Sequence, residues 1–443
     1  MRLSTVVFSL LALGTVLSSA QAAMFEPQTF TLANGMRVVV IEDRRAPVVT
    51  HMVWYKVGAA DEQPGKSGIA HFLEHLMFKG TPSVPPGEFS KIVARNGGRD
   101  NAFTSQDYTA YFQNVARDRL ELVMRMEADR MTHLRLTDKE VLPERDVILE
   151  ERRSTLDNNP RSVLSEQMSA VQFMNHPYRK SIIGWEHEMR GLTTKDALEF
   201  YGKYYAPNNA ILIVAGDINA KELRPLAEKY YGVIKAKAVV PRNRPQEPPQ
   251  LAPRRISLTD ARVRQPSWTR TYLAPTRTAG EKQHAIPLEV LSQILSGSTG
   301  RLDTQLVQGE GVATSAGSAY DDNAVDQSMF YLFASPKPGT DMAVLEAGID
   351  KVIADLLDKG VTEEELARAK ISLRASAIYA RDDAASGARI FGAALLAGQS
   401  IEEIEAWPEM VAKVTVADVN AAARAVLDLR RSVTGQLLPK AEK

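Results

Sequence analysis

The rhythm of apolar and polar positions changes repeatedly along the chain, and the changes predict a mixed fold. Phe30 and Leu32, the turn signal Asn34-Gly35 and the run Val38-Val39-Val40-Ile41 predict a β-hairpin over residues 29–41. Alternating apolar positions predict a strand over 51–57, and glycines at 65 and 68 mark a loop. Residues 69–78 then show helical spacing. Two longer helices come next at 120–131 and 139–156, the second opened by Thr137-Asp138. Residues 210–215 form a continuous apolar run closed by Gly216-Asp217, the mark of a buried strand.

Between Lys235 and Arg255 the pattern stops. Five prolines stand there among six basic residues, with Glu247 the single acidic one. Proline lacks an amide donor and breaks both helix and sheet, so this stretch reads as an extended, solvated linker. The predicted organisation is residues 24–236, a linker at 237–254, and residues 255–443. The two halves resemble each other at their ends. Thr193 and Asp196 open a helix that leads to the strand at 210–215, and Thr415 and Asp418 open one that leads to a strand at 431–437. Thr-x-x-Asp is a helix-start signal in both places. Neither half alternates β and α regularly, so the fold class is α+β: two similar sandwich-like domains, each an antiparallel-rich sheet with helices, joined by the proline-rich linker.

At the N-terminus, Arg2 precedes the apolar run 6–17 and the small-x-small pattern Ala20-Gln21-Ala22. This is the form of a cleavable export signal over residues 1–23, which implies a periplasmic or secreted protein. The run is too short for a stable membrane span. Composition narrows the chemistry. With 54 basic and 54 acidic residues in 443, the net charge is zero, which argues against a phosphate-neutralising nucleic-acid binder. The chain has no cysteine, so disulfides, thiolate nucleophiles and cysteine-held metals are excluded. Any metal must be held by the seven histidines and by carboxylates.

The sharpest motif is His71-Phe72-Leu73-Glu74-His75. On a helix the two histidines lie one turn apart on one face, and Glu74 falls in the same arc. Two imidazoles at this spacing can share one tetrahedral Zn2+, with a carboxylate beside the open position; metallopeptidase chemistry is the expected use. A third ligand is needed. Glu144 and Glu151 stand seven apart on the helix predicted at 139–156, two turns apart on one face, and spacing alone supports either only weakly.

The stretch Pro64–Thr81, PGKSGIAHFLEHLMFKGT, resembles the pitrilysin, insulysin and mitochondrial processing peptidase family of inverted zincins. Further matches occur in order: Asn101-Ala102-Phe103-Thr104, the run from Glu144 to Glu151, His176-Pro177-Tyr178 with Gly184, and Pro207-Asn208-Asn209 leading to Gly216-Asp217. Matches in the second half, Gly297 to Leu302 and Gly360 to Leu366, are more diffuse. The resemblance implies His71, His75 and Glu151 as ligands of one Zn2+, Glu74 as general base, and Glu144 as the acidic neighbour that orients a ligand. It also implies that Asn101 and Ala102 lie on an edge strand that pairs with a peptide substrate. Because the histidines must be neutral to bind metal, activity is expected to fall below about pH 6.

One departure from the family stands out. Active relatives carry an Arg and, seven positions later, a Tyr that contact the substrate; Val307 and Thr314 occupy those places here. The resemblance therefore implies a zinc-bearing subunit whose second half-size partner supplies the Arg/Tyr pair in a heterodimer, rather than a homodimer. The alternative is a non-catalytic or peptide-binding structural subunit of the same family.

Overall fold

A computed structural model describes residues 24–440. The export-signal reading of residues 1–23 lies outside the described residues. The first sheet comprises β1 (Gln28–Thr31), β2 (Arg37–Glu42), β3 (Val48–Tyr55), β4 (Arg99–Thr104), β5 (Thr109–Ala116) and β6 (Ala210–Gly216), in the order β1-β2-β6-β3-β5-β4. The second comprises β7 (Arg254–Asp260), β8 (Ser267–Ala274), β9 (Ala313–Tyr320), β10 (Ser328–Pro336) and β11 (Ser432–Pro439), in the order β7-β11-β8-β10-β9.

Without β1, the two sheets have the same topology. In each, the first and last strands run parallel side by side, and the remaining pairs are antiparallel. The helix starts read from Thr-x-x-Asp are real capping boxes: Thr193 caps the helix Thr194–Tyr204 and Thr415 caps the helix Val416–Val426, each leading to the last strand of its sheet. The hairpin at the start is formed by β1 and β2, with Gly35 in the left-handed region at φ 88° as the turn requires.

Four helices position the site and join the two units: α1 (Ile69–Leu76), α2 (Asp138–Arg152), α3 (Pro160–Gln172) and α4 (Ala384–Ala397). One face of the first sheet packs Val38, Val53, Tyr55, Tyr111 and Leu212 against α1 and its neighbouring helices. Its other face, with Val39, Met52, Trp54 and Ile213, is covered by Ala388, Phe391, Ala394 and Leu395 of α4, which comes from the second half of the chain. The exchange is reciprocal. Leu164 and Met168 of α3, from the first half, pack against Val433 and Leu437 of β11 in the second sheet.

Glycines make these close approaches possible. A Cβ on Gly392 of α4 would lie 2.5 Å from Trp54 Cδ2, and one on Gly435 of β11 would lie 3.1 Å from Met168 Cε. Each half thus lends a helix to the other's sheet, and the two units are interlocked.

The stretch read as a solvated linker is extended and largely exposed, but it is not free of contacts. Residues 236–251 form no regular element, and β7 begins at Arg254, inside the stretch read as linker. Yet the chain is bolted down. The Arg244 guanidinium is only 6% exposed and pairs with Asp61 at 2.8 Å and Asp107 at 2.5 Å in the first unit, and with Asp326 at 3.0 Å in the second. Glu247 accepts the backbone N–H groups of Met174, Asn175 and His176. Linker composition is the same whether its arginines meet water or buried carboxylates; only the distant aspartates decide, and no local pattern reveals them.

Among the described residues, no helix is long and apolar enough to cross a membrane.

Candidate active site

The site is built on α1. Gly68 precedes the helix in the left-handed region at φ 88°, where a Cβ would lie 2.5 Å from Ile183 O, so no larger residue fits. The first turn's N–H groups are not left open. Glu62, buried, accepts from Gly68 N at 3.0 Å and Ala70 N at 3.1 Å, with Lys180 Nζ 3.5 Å away. Burial nevertheless pushes the Glu62 carboxyl up to about 8, against the pull of Lys180 and the two amides. The helix buries Ile69, Phe72, Leu73 and Leu76 in the core, which fixes its rotation and sends His71 and His75 to the opposite face.

The third residue comes from α2, which runs alongside α1. After Arg152 the backbone widens into a π-helical turn, Arg153–Asp157, a feature common beside functional positions. Arg152 is tied by both guanidinium arms to Glu166, at 2.9 and 3.0 Å, and at 2.6 Å to Gly184 O, so the end of α2 is held firmly. Glu151 therefore faces α1. Its Oε2 lies 3.8 Å from His71 Nε2 and 3.5 Å from His75 Nε2. One ligand atom from each of the three residues falls within 4.8 Å of the other two.

The cluster fits a zinc ion by the chemistry of its donors. Tetrahedral bonds of roughly 2.0–2.2 Å place neighbouring ligand atoms about 3.3 Å apart, so the three need close only slightly. Both histidines can present Nε2. The His75 ring makes a 3.0 Å hydrogen bond from Nδ1 to Glu144 Oε1, which fixes its orientation and leaves Nε2 for a metal. Lys79 Nζ pairs with the other oxygen of Glu144. Burial opposes ionisation of Glu144, but the bonds from His75 and Lys79 hold its carboxyl below the ordinary range.

His71 is pushed down to about 4 by burial and then by the nearby charge of His75, so its ring is neutral, as a ligand must be. Burial also presses His75 down, but the bond to Glu144 and the charges of Glu74, Glu144 and Glu151 outweigh it and raise its pKa overall.

Glu74 is 8% exposed. Burial raises its pKa, opposed first by a hydrogen bond from Thr104, whose Oγ1 donates to Glu74 Oε2 at 2.6 Å. Thr104 and Lys79 fall inside the matched motifs but were given no role there, and Glu62 lies outside them. Lys79 stands four residues after His75, a spacing that does point to the same side; Thr104 and Glu62 act across elements and leave no local signal.

Asn101 and Ala102 lie on β4, which among the described residues pairs only with β5 and is the edge of the first sheet. Asn101 is exposed, and its own Oδ1 accepts the Ala102 N–H at 2.9 Å. Beyond the end of β4, Ser105 lines a cavity of about 510 Å3 between the two units, reached also by Leu156 of the π-helical turn and by Met329 and Tyr331 of β10. A second cavity of about 500 Å3 continues from it along β10 to Phe333. Val307 packs against the second core, and the Thr314 hydroxyl donates to Ser335 O at 3.3 Å. The Tyr320 hydroxyl is taken by Pro275 O. His176 is buried with Nε2 3.1 Å from Asp326, and Trp54 and Trp268 are core residues.

Fold and site together define the class: a duplicated α+β protein with the architecture of the half-size metallopeptidases. The chain belongs to peptidase family M16, the insulinase family. Residues 37–186 match the family described as "Insulinase (Peptidase family M16)", and residues 191–373 match "Peptidase M16 inactive domain". The division between the two matches falls before β6, which closes the first sheet. The three clustered residues all lie in the first match.

A relative from Helicobacter pylori, zinc protease PqqE, is 33% identical over 84% of this chain and 84% of its own. The crystal structure of a protease from Helicobacter pylori superimposes with a TM-score of 0.87 at 31% identity, covering 94% of this chain and all of that one. The periplasmic protease PqqL from Escherichia coli shares the fold, with a TM-score of 0.80 at 21% identity; this chain spans 48% of it.

Proposed function

We propose that the protein is an exported zinc endopeptidase that cuts peptides or unfolded polypeptide segments, acting as the zinc-bearing subunit of a heterodimer. The observation that carries this reading is the convergence of His71, His75 and Glu151 within 4.8 Å, beside the buried carboxylate of Glu74. The named zinc proteases among its relatives support it.

His71 and His75, through Nε2, and Glu151, through a carboxylate oxygen, would hold one zinc ion, with Glu144 orienting His75. Zinc at this point supplies a Lewis acid that makes water nucleophilic near neutral pH and polarises the scissile carbonyl. Glu74 accepts the proton of the attacking water and delivers it to the leaving amide nitrogen. The substrate backbone extends the first sheet at the free edge of β4, where it displaces Asn101 Oδ1 from the Ala102 N–H, and continues past Ser105 into the cavity between the units. Backbone pairing of this kind suits extended chain with little sequence demand.

The heterodimer rests on what the second unit does not offer. Val307 has no donor, the Thr314 hydroxyl is turned to Ser335 O, and Tyr320 is bound to Pro275 O. A second copy of this chain would bring the same residues, so a homodimer gains nothing at the substrate carbonyl. One missing donor of that type costs about 100-fold to 1000-fold in rate.

The test is hydrolysis of a quenched-fluorescent peptide pool by the zinc-loaded chain, alone and with a second half-size subunit that carries Arg and Tyr at these places. Turnover that needs the second subunit and vanishes in Glu74→Gln is expected. Robust turnover by the chain alone would remove the heterodimer, and cleavage by Glu74→Gln at the parent rate would remove the mechanism.

A further inference from the structure

We propose that Thr104 is a positioning residue that holds one oxygen of the base Glu74 so that the other faces the metal and the attacking water; this rests on the reading of Glu74 as the base. A threonine hydroxyl carries a single proton. Two acceptors lie near it: Glu74 Oε2 at 2.6 Å and Thr109 Oγ1 at 3.4 Å. The nearer, charged acceptor takes it. Thr109 needs nothing from Thr104, because its own hydroxyl donates to Val57 O at 3.0 Å. Glu74 is thereby left with Oε2 occupied and Oε1 free, and a carboxylate pinned at one oxygen has its side-chain rotamer set before substrate arrives.

The location of Thr104 sets what loss of the bond would disturb. Thr104 is the last residue of β4, opposite Thr109 of β5 in the ladder, and β4 is the sheet edge beside α1. The bond touches neither metal ligand nor peptide, so its removal acts on the chemical step alone.

Thr104→Val keeps the shape and deletes the hydroxyl; Thr104→Ser restores it. Both are compared with the parent and with Glu74→Gln, each zinc-loaded and with the partner subunit where turnover requires it. Four quantities are read: kcat, KM, bound zinc per chain, and affinity for an uncleaved peptide. The expected result for Thr104→Val is a fall in kcat of about 10-fold to 100-fold, by analogy with groups that orient a reacting residue, with KM, zinc content and peptide affinity within about twofold of the parent. Thr104→Ser recovers most of the kcat.

Thr104→Val with the parent's kcat, while Glu74→Gln is inactive, overturns the role of Thr104 and leaves the peptidase reading standing. Loss of zinc or of peptide affinity in Thr104→Val, unrelieved in Thr104→Ser, assigns the residue to the scaffold and also overturns the proposal. Cleavage by Glu74→Gln at the parent rate overturns both.

Discussion

Replacing Gly392 by alanine drives a methyl group into the indole of Trp54, and the structure sets the size of the penalty. The new Cβ would sit 2.5 Å from Trp54 Cδ2 and closer still to Cε2 and Cζ2. Carbon atoms pack best at about 3.5–4.0 Å, so the overlap exceeds about 1 Å. Trp54 cannot retreat: it is 1% exposed, with the rings of Phe103 at 5.2 Å and Tyr108 at 5.0 Å edge-on to it. Overpacking usually costs about 1–3 kcal/mol, and a rigid indole places Gly392→Ala at or above about 3 kcal/mol.

Gly435→Ala is the internal control, because it meets Met168 in the reciprocal contact. There Cε and Cγ lie 3.1 Å from the new Cβ, with Sδ closer. A thioether with three rotatable bonds can repack, which lowers the expected cost to about 1–2 kcal/mol. Equilibrium urea unfolding of the metal-free protein measures both, and Trp54→Phe in the Gly392→Ala background should recover part of the loss. If Gly435→Ala costs as much as Gly392→Ala, or if Gly392→Ala is neutral, the interlocked packing of α4 on the first sheet is wrong.

Three further outcomes are expected from the same geometry. Glu144→Ala removes the acceptor for His75 Nδ1 and the partner of Lys79, and zinc affinity, measured by chelator competition, should fall about 10-fold to 100-fold. Arg244→Met leaves Asp61, Asp107 and Asp326 facing one another without the cation that joins them; a loss of about 3–5 kcal/mol and rapid proteolysis within residues 237–254 are expected. Glu62 has its carboxyl raised to about 8, so the folded state binds its proton more tightly than the unfolded chain does; its contribution to stability is complete below about pH 4.5 and is lost as pH rises through about 8. Thermal unfolding across that window should show Glu62→Gln flattening the decline, by an amount on the order of a few kcal/mol at its upper end.

The α+β class was legible because its signals are local. Asn34-Gly35 marks a turn, Thr193 and Asp196 cap a helix, and residues 210–215 are a buried strand wherever the rest of the chain goes. The pair His71 and His75 was legible for the same reason, since an i, i+4 spacing fixes a shared face before any tertiary contact forms. Glu151 stands 76 residues beyond His75, and helical spacing left it level with Glu144. Family resemblance separated their expected roles, and the structure places Glu151 near both Nε2 atoms and Glu144 on Nδ1.

The features that stayed hidden were non-local. Thr104 meets Glu74 only because β4 lies beside α1. Arg244 looked solvated because Asp61, Asp107 and Asp326 come from distant parts of two units. The exchange of α3 and α4 depends on Gly392 and Gly435 clearing space for side chains more than 250 residues away in sequence.

The most direct test of the zinc and substrate assignment is a crystal structure of the zinc-loaded Glu74→Gln variant with an uncleaved peptide, with anomalous data collected at the zinc edge. One zinc peak is expected about 2.0–2.2 Å from His71 Nε2, His75 Nε2 and a Glu151 oxygen, with the peptide paired along β4 at Asn101 and Ala102. A peak held by other residues, or a peptide bound away from that edge, would contradict the assignment.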